Sequence, residues 1–236
     1  MQKSKVLKII VVLVITVTVY GQKEENGNKW TINAGADLVS TYVCRGLYQS
    51  AVSVQPMLEV SVSGLSIGSW GSSDFSTIFK ELDFYVSYKL KRLTVILWDY
   101  WWSGEGASYF KDNGSHFLEA TLRYTFSEKF PLSLETNTMF TGDGDKDDNG
   151  KPLYSTYISA NYPFSIKNVK NVDCEVGIGI SPWKSMYSNK FNVATITAKA
   201  SKSLRLSSDY TLPVFVELIF SPAQDNCFLI FGIKFL

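Results

Sequence analysis

The sequence is poor in the residues that most often carry metal or redox chemistry. Its 236 residues include one histidine, His116, and three cysteines, Cys44, Cys174 and Cys227. Three cysteines spaced so far apart predict neither a disulfide framework nor a zinc site, so we interpret them as small apolar side chains. The single histidine, without a G-x-S-x-G or His-Glu-x-x-His motif, argues against an enzyme.

Charge is also scarce, and neither sign predominates. Charged residues make up 19% of the chain, and 23 Lys and Arg face 22 Asp and Glu, which excludes nucleic-acid binding through bulk positive charge. After residue 22 the longest apolar run is the seven residues from Cys227 to Ile233. A membrane-spanning helix needs roughly 20, so a helical membrane protein is excluded. Rings are abundant instead, with 15 Phe, 13 Tyr and 6 Trp, and this composition excludes disorder.

Residues 1–22 have the three-part pattern of a secretory signal peptide. Lys3, Lys5 and Lys8 precede an apolar stretch from Ile9 to Val19, and the small residue Gly21 completes the pattern. The apolar stretch is shorter than the roughly 18 residues of a stop-transfer segment, which favours cleavage over an uncleaved anchor. We therefore expect export, with residues 23–236 forming one domain.

Beyond the signal peptide, apolar and polar residues alternate in blocks separated by clusters of Gly, Asn, Asp, Ser and Pro. From Leu82 to Leu90, for example, every second residue is apolar, and the residues between include Asp83 and Lys89. A period of two is typical of strands in an antiparallel sheet with one apolar face. The pattern predicts about 12 strands (10–14), starting near residues 31, 54, 64, 79, 93, 115, 131, 152, 172, 190, 211 and 226.

The connections between the predicted strands fall into two sets. Every second connection is a turn of modest length, whereas several of the others are longer, at 45–51, 72–78, 103–114, 141–151 and 182–189. This sorting predicts an all-β, antiparallel up-and-down transmembrane β-barrel of the bacterial outer membrane. Rings near the strand ends favour the same fold, because they suit the headgroup level. The alternative is a secreted β-sandwich or lipocalin-like barrel, since alternation alone fits any antiparallel sheet.

Three segments resemble a known family. They read ADLVSTYVCRGLYQS at 36–50, GLSIGSWGSS at 64–73 and KELDFYVSYKL at 80–90. They are similar to the TorF-like family of outer-membrane porins, in the form carried by Bacteroidetes, whose motif corresponds here to Asp37, Ser40, Tyr42, Val43, Arg45, Gly46, Gly68, Trp70 and Ser72 or Ser73. The resemblance implies an outer-membrane barrel of porin type in a Gram-negative bacterium. Cys44, where the family tends to have an aromatic residue, and the terminal Leu236 depart from its pattern.

Charged residues on the predicted inward faces are the candidates for lining a pore and setting its selectivity. A charge facing acyl chains costs roughly 2 to 4 kcal/mol at the bilayer midplane, so we expect them to point inward. Paired across strands they brace the barrel, and unpaired they set a field that selects solutes. Arg45 is the sharpest candidate, and its alternative role is a buried ion pair with Asp37 or Glu59. The candidates are Asp37, Arg45, Glu59, Glu81, Asp83, Lys89, Glu119, Arg123, Glu135 and Glu217, with Glu175, Lys199 and Lys234 on the same faces.

The acidic segment 141–151 is a weak calcium candidate. Asp145, Asp147, Asn149 and Gly150 match the opening of a calcium-binding loop, in which alternating oxygens meet the cation. The twelfth position of the loop is Thr156, which cannot supply the bidentate carboxylate. A solvated acidic surface loop is therefore the favoured alternative.

The sequence as a whole predicts a porin or channel for the diffusion of small polar solutes. We expect no cofactor apart from the weak calcium candidate, no nucleic acid, and the lipid bilayer of the outer membrane as the main partner. A closed barrel with a structural or surface-interaction role is the alternative, because a barrel of this strand number has a narrow lumen. A lipase using Ser115 and His116 is disfavoured, since alternation places their side chains on opposite faces.

Overall fold

The computed structural model describes residues 30–75, 80–103, 109–110, 116–166, 172–208 and 210–235, so the predicted signal peptide lies outside the described residues. Among these residues no helix is long and apolar enough to cross a membrane. The described strands are β1 (Thr31–Val39), β2 (Tyr42–Cys44), β3 (Leu47–Ser50), β4 (Ser53–Val62), β5 (Leu65–Asp74), β6 (Lys80–Leu90), β7 (Leu93–Ser103), β8 (His116–Thr125), β9 (Ser133–Thr141), β10 (Thr156–Ser165), β11 (Val172–Ser181), β12 (Asn192–Arg205), β13 (Thr211–Ser221) and β14 (Asn226–Phe235).

Twelve of these strands form a closed antiparallel barrel. Strand β1 pairs with β4 on one side and with β14 on the other, and from β4 to β14 each strand pairs with the next along the chain. The closing register places Ala36 opposite Phe235 and Val39 opposite Gly232. The predicted all-β, antiparallel up-and-down barrel of about 12 strands is confirmed, and the predicted strand starts lie within about four residues of those observed.

Strands β2 and β3 form a separate hairpin inside the barrel. The sequence predicted a longer connection at 45–51 but no hairpin within it, whereas residues 42–50 pair with each other in a two-stranded sheet. Tyr42 and Val43 pack against a buried apolar cluster on the barrel wall, formed by Val39, Phe215, Ile219 and Ile230. Packing against that inward-facing cluster offsets the cost of ordering the hairpin, so it folds into the barrel mouth.

The barrel wall is apolar on its outer face and polar on its inner face, the reverse of a soluble protein. Leu97, Ile178 and Leu229 point outward and are 55%, 46% and 55% exposed, whereas Glu119 and Asn137 point inward and are 0% and 2% exposed. Soluble proteins seldom bury such polar side chains while exposing so many large apolar ones. The hydropathic alternation in the sequence thus corresponds to an apolar exterior and a polar interior.

Close approach of an aromatic ring to a glycine fixes the interior packing where β13 meets β14. Gly232 lies opposite Phe215 in the register, and a Cβ atom on Gly232 would stand 2.1 Å from that ring. The Phe215 side chain therefore lies flat over the glycine, and the Lys199 Nζ sits 4.2 Å from the ring centroid. A glycine covered by a cross-strand aromatic is a known way to maintain curvature in a barrel.

We expect Gly232→Ala to lower the free energy of unfolding by about 1–3 kcal/mol, because the Phe215 ring must leave its place. In a Phe215→Ala background the same substitution should have little effect, since the ring is gone. Urea titration followed by intrinsic fluorescence measures both values. Equal losses in the two backgrounds would contradict the packing described here.

Candidate functional site in the barrel interior

The turn of the inner hairpin directs one guanidinium into the interior. Arg45 and Gly46 connect β2 to β3, and both have positive φ, at 50° and 86°. Positive φ at the two central residues is typical of the tight turns that join antiparallel strands. Gly46 also lies against β12 and β13, since a Cβ atom there would stand 2.5 Å from Ser221 Oγ and 2.9 Å from the Ala194 carbonyl oxygen. The turn thus has space for glycine alone.

Arg45 makes a bidentate ion pair with Glu119 of β8. Its two terminal nitrogens donate to the two carboxylate oxygens at 2.5 and 2.7 Å, and Tyr100 donates its hydroxyl to the same carboxylate at 3.0 Å. The Glu119 side chain is fully buried, and that of Arg45 is 15% exposed. The sequence suggested Asp37 or Glu59 as the partner, which is wrong because the hairpin carries Arg45 to β8. A buried bidentate pair holds the hairpin in the mouth.

Two tyrosines complete the environment of the guanidinium. Arg45 donates to the Tyr187 hydroxyl at 2.7 Å, and its guanidinium carbon lies 5.6 and 5.8 Å from the ring centroids of Tyr157 and Tyr187. Burial raises the pKa of the Tyr187 phenol, so this loop residue stays neutral. Sequence reasoning missed Tyr187, because it lies outside the alternating blocks in the connection between β11 and β12. The guanidinium thus makes cation–π contacts with both tyrosine rings, and these three residues come together only when the chain folds.

Three further ion pairs join inward-facing candidates on neighbouring strands. Lys199 Nζ lies 3.3 Å from Glu217, Lys234 Nζ lies 3.8 Å from Asp37, and Arg123 pairs with Glu135. In each pair the two residues stand directly opposite each other in the register. These pairs link adjacent strands inside the barrel, where side chains are only partly exposed.

The remaining candidates have no cationic partner among the described residues within 4 Å, or no acidic one in the case of Lys89. Glu59 accepts hydrogen bonds from Tyr85 at 2.8 Å and from Asn33 at 3.2 Å. Lys89 is exposed at the short-turn end of β6. Glu81 and Asp83 are buried near the opposite end of the same strand, at 5% and 2% exposure. The unpaired charges of β6 therefore lie at opposite ends of the strand, with Glu81 and Asp83 at the hairpin end and Lys89 at the short-turn end.

A polar cavity of about 230 Å³ lies in the interior beside the hairpin turn. Its walls include Arg45, Glu135, Asn161, Glu175, Thr197 and Glu217. The cavity is large enough for several water molecules, each of which takes up about 30 Å³ in the liquid. The interior is thus packed around the hairpin and polar beside it.

The calcium candidates are engaged with the backbone of their own loop. Asp145 is buried and accepts from the Ser155 amide at 3.1 Å. Asp147 accepts from the Asn149 and Lys151 amides, each at 2.9 Å, and these bonds lower the pKa of its carboxyl group. Among the described residues no three His, Cys, Asp or Glu side chains could hold a metal ion together. Calcium binding by Asp145, Asp147 and Asn149 stays a prediction.

The other residues that could carry chemistry are the single histidine and the three cysteines. His116 contacts the Asp99 carboxylate through Nδ1 at 2.8 Å and the Tyr109 carbonyl oxygen through Nε2 at 2.9 Å, so both ring nitrogens are engaged. Ser115, weighed with His116 as a lipase pair, lies outside the described residues. Cys44, Cys174 and Cys227 are free thiols.

Comparison with known proteins identifies no family for this chain. No family model matches it, and no curated protein matches. One similar solved structure is a KdgM porin, with a TM-score of 0.47 and 9% identity, covering 87% of this chain and 99% of that one. The barrel assignment rests on the strand pairing, and the resemblance to the TorF-like family stays a prediction.

Replacing Arg45 with Ala leaves the fully buried Glu119 carboxylate without its cation. We expect Arg45→Ala to lower the free energy of unfolding by about 3–5 kcal/mol. The matched control is Arg123→Ala, which breaks a pair whose arginine side chain is 47% exposed and should cost only about 0–1 kcal/mol. Both are measured by urea titration. Equal losses would show that the hairpin does not depend on this pair.

Proposed function

We propose that the chain is an outer-membrane channel through which small polar solutes diffuse, narrowed at its long-loop end by the hairpin β2–β3. The observation that carries the proposal is the charged and polar interior around a cavity of about 230 Å³. Small soluble barrels fill their interior with packed side chains or shape it for one ligand. Paired charges and a polar cavity suit passage of hydrated solutes instead.

The apolar exterior supports placement in a membrane. Large apolar side chains cover the outward faces of the strands, including Ile67, Leu97, Ile178, Leu229 and Phe231 at 46–58% exposure. Such a continuous exposed surface is unfavourable in water and favourable against acyl chains. Long connections at 142–155 and 182–191 stand at the hairpin end, and turns such as 63–64 and 91–92 at the other. In an outer-membrane barrel the long loops face outside, so the hairpin narrows the external mouth.

The arrangement of interior charges supports two roles for the candidate residues. The four ion pairs, including Arg45 with Glu119, brace neighbouring parts of the barrel. Glu59, Glu81 and Asp83 have no cationic partner among the described residues and set the field that passing solutes meet. The proposal also includes export directed by residues 1–22 and location in a Gram-negative outer membrane. It assigns the protein no catalytic role.

A closed barrel is the second candidate, and one observation favours it. The apolar cluster of Val39, Phe215, Ile219 and Ile230 faces inward and packs against the hairpin, so part of the cross-section is filled. If the filled part spans the whole lumen, the chain is a structural or surface-interaction barrel. Conductance separates the two candidates.

We expect the folded protein to form discrete channels in planar lipid bilayers. Arg45→Ala should raise the single-channel conductance at least about twofold, because the hairpin loses its anchor in the mouth. The matched control is Lys151→Ala, an exposed loop change that should leave conductance unaltered. Folded protein that inserts without conductance, both as wild type and as Arg45→Ala, would favour the closed barrel.

Whether the barrel wall lies in the bilayer can be tested by comparing the cost of an arginine at outward positions of different depth. Leu97 lies at the middle of β7, and Leu97→Arg should cost about 2–4 kcal/mol of folding free energy in lipid vesicles. Leu204→Arg, also outward but at the end of β12, should cost only about 0–1 kcal/mol. Urea titration in the vesicles measures both. Equal and small costs would contradict the proposal that the barrel wall faces lipid.

A further inference from the structure

Two carboxylates in the barrel wall are buried without a cation. Glu81 and Asp83 stand two residues apart on the inward face of β6 and are 5% and 2% exposed. Among the described residues, no Lys, Arg or His nitrogen lies within 4 Å of either carboxylate. Burying two like charges so close together is costly unless they share a proton or a positive charge accompanies them.

Three buried oxygen atoms at this place have no hydrogen-bond partner. They are Glu81 Oε2, Asp83 Oδ1 and Ser72 Oγ. Ser72 is 3% exposed and stands directly opposite Glu81 in the register of β5 and β6. Buried polar atoms are nearly always hydrogen-bonded in folded proteins. Two carboxylate oxygens and one hydroxyl oxygen without a partner on neighbouring strands favour a ligand that carries hydrogen-bond donors, and the buried Trp102 N–H opposite Glu81 also lacks a partner among the described residues.

Aromatic rings line both sides of the carboxylates. On β7, Trp102 stands opposite Glu81 and Tyr100 opposite Asp83, and on β5 Trp70 stands opposite Asp83. Tyr42 of the hairpin lies 5.4 Å from the Trp70 ring. The faces of such rings attract cations and repel anions, and they can cover the apolar part of an organic cation.

Arg45 is the interior cation that sits closest to this place in the fold, and it is already engaged. Both of its terminal nitrogens bond to Glu119, and one also donates to Tyr187. Three other inward cations, Arg123, Lys199 and Lys234, pair with acids on other strands, and Lys89 lies at the opposite end of β6. No cation of the described residues therefore pairs with Glu81 or Asp83, which leaves this place open to a cation that enters through the lumen.

We infer that Glu81, Asp83 and Ser72 bind a primary ammonium group. Such a group carries three N–H donors for the three oxygen atoms, and its single positive charge balances the pair when the two carboxylates share one proton. A calcium ion would require six to eight oxygen ligands. This inference rests on the proposed function, since the cation reaches the wall through the lumen, and it names small organic amines as the class of solute.

Calorimetric titration of the folded protein in detergent tests the inference with methylammonium chloride as the probe. Tetramethylammonium chloride, which has the same charge and no N–H donor, is the matched control ligand. We expect saturable binding of methylammonium, and at least tenfold weaker binding of tetramethylammonium. The double variant Glu81→Gln/Asp83→Asn should lose the binding, and Ser72→Ala should weaken it severalfold. Glu128→Gln, which changes an exposed acid in the turn between β8 and β9, should leave it unchanged.

Four results would overturn the inference: no saturable binding by the folded wild type, unchanged binding by the double variant, equal binding of tetramethylammonium, or tight calcium binding with none of methylammonium. If the double variant does not fold, methylammonium binding by Ser72→Ala and the comparison of the two ligands on the wild type still test the inference. The calorimetric titration detects binding whether or not the protein forms conducting channels. Binding without channels would contradict the channel alone, whereas channels without binding would contradict the ammonium site alone.

Discussion

The buried ion pair between Arg45 and Glu119 is the contact on which the interior of this barrel depends. The carboxylate is fully buried in the wall, and the guanidinium comes from the turn of a hairpin that belongs to no barrel strand. Neither charge is stable there without the other, because desolvation of each is offset only by the pair and its hydrogen bonds from Tyr100 and to Tyr187. The hairpin is therefore held in the mouth by a specific contact as well as by apolar packing.

The rest of the barrel follows from a wall with two opposite faces. Outward residues such as Leu97 are apolar and exposed, and inward residues such as Asn137 are polar and buried. The polar face combines three features: charges paired across strands, polar groups around a cavity, and the carboxyl groups of Glu81 and Asp83, which have no cationic partner among the described residues. Each feature requires particular side chains at the facing positions of a neighbouring strand, and the strand register brings those side chains together. Under the proposed function, bracing, narrowing and solute recognition coexist in one small lumen.

Much of this architecture was predictable, because alternation is a local property of the sequence. The strand starts, the antiparallel order and the inward parity of Glu119 all follow from a period of two. The hairpin was missed because Arg45 and Gly46 form a tight turn within a segment too short to show alternation. Its partner was missed because Arg45 and Glu119 are 74 residues apart and meet across the lumen. Tyr187 was missed for a similar reason, since a loop residue gains its role only from what the fold places beside it.

The most direct measurement of the central claim is the coupling energy between Arg45 and Glu119. Urea titration of the wild type, Arg45→Ala, Glu119→Ala and the double variant gives this energy as the deviation from additivity. If the pair fastens the hairpin inside the barrel, removal of either partner is costly and removal of the second costs little more, so the coupling should exceed about 1 kcal/mol. Additive effects, with a coupling within about 0.3 kcal/mol of zero, would contradict the account.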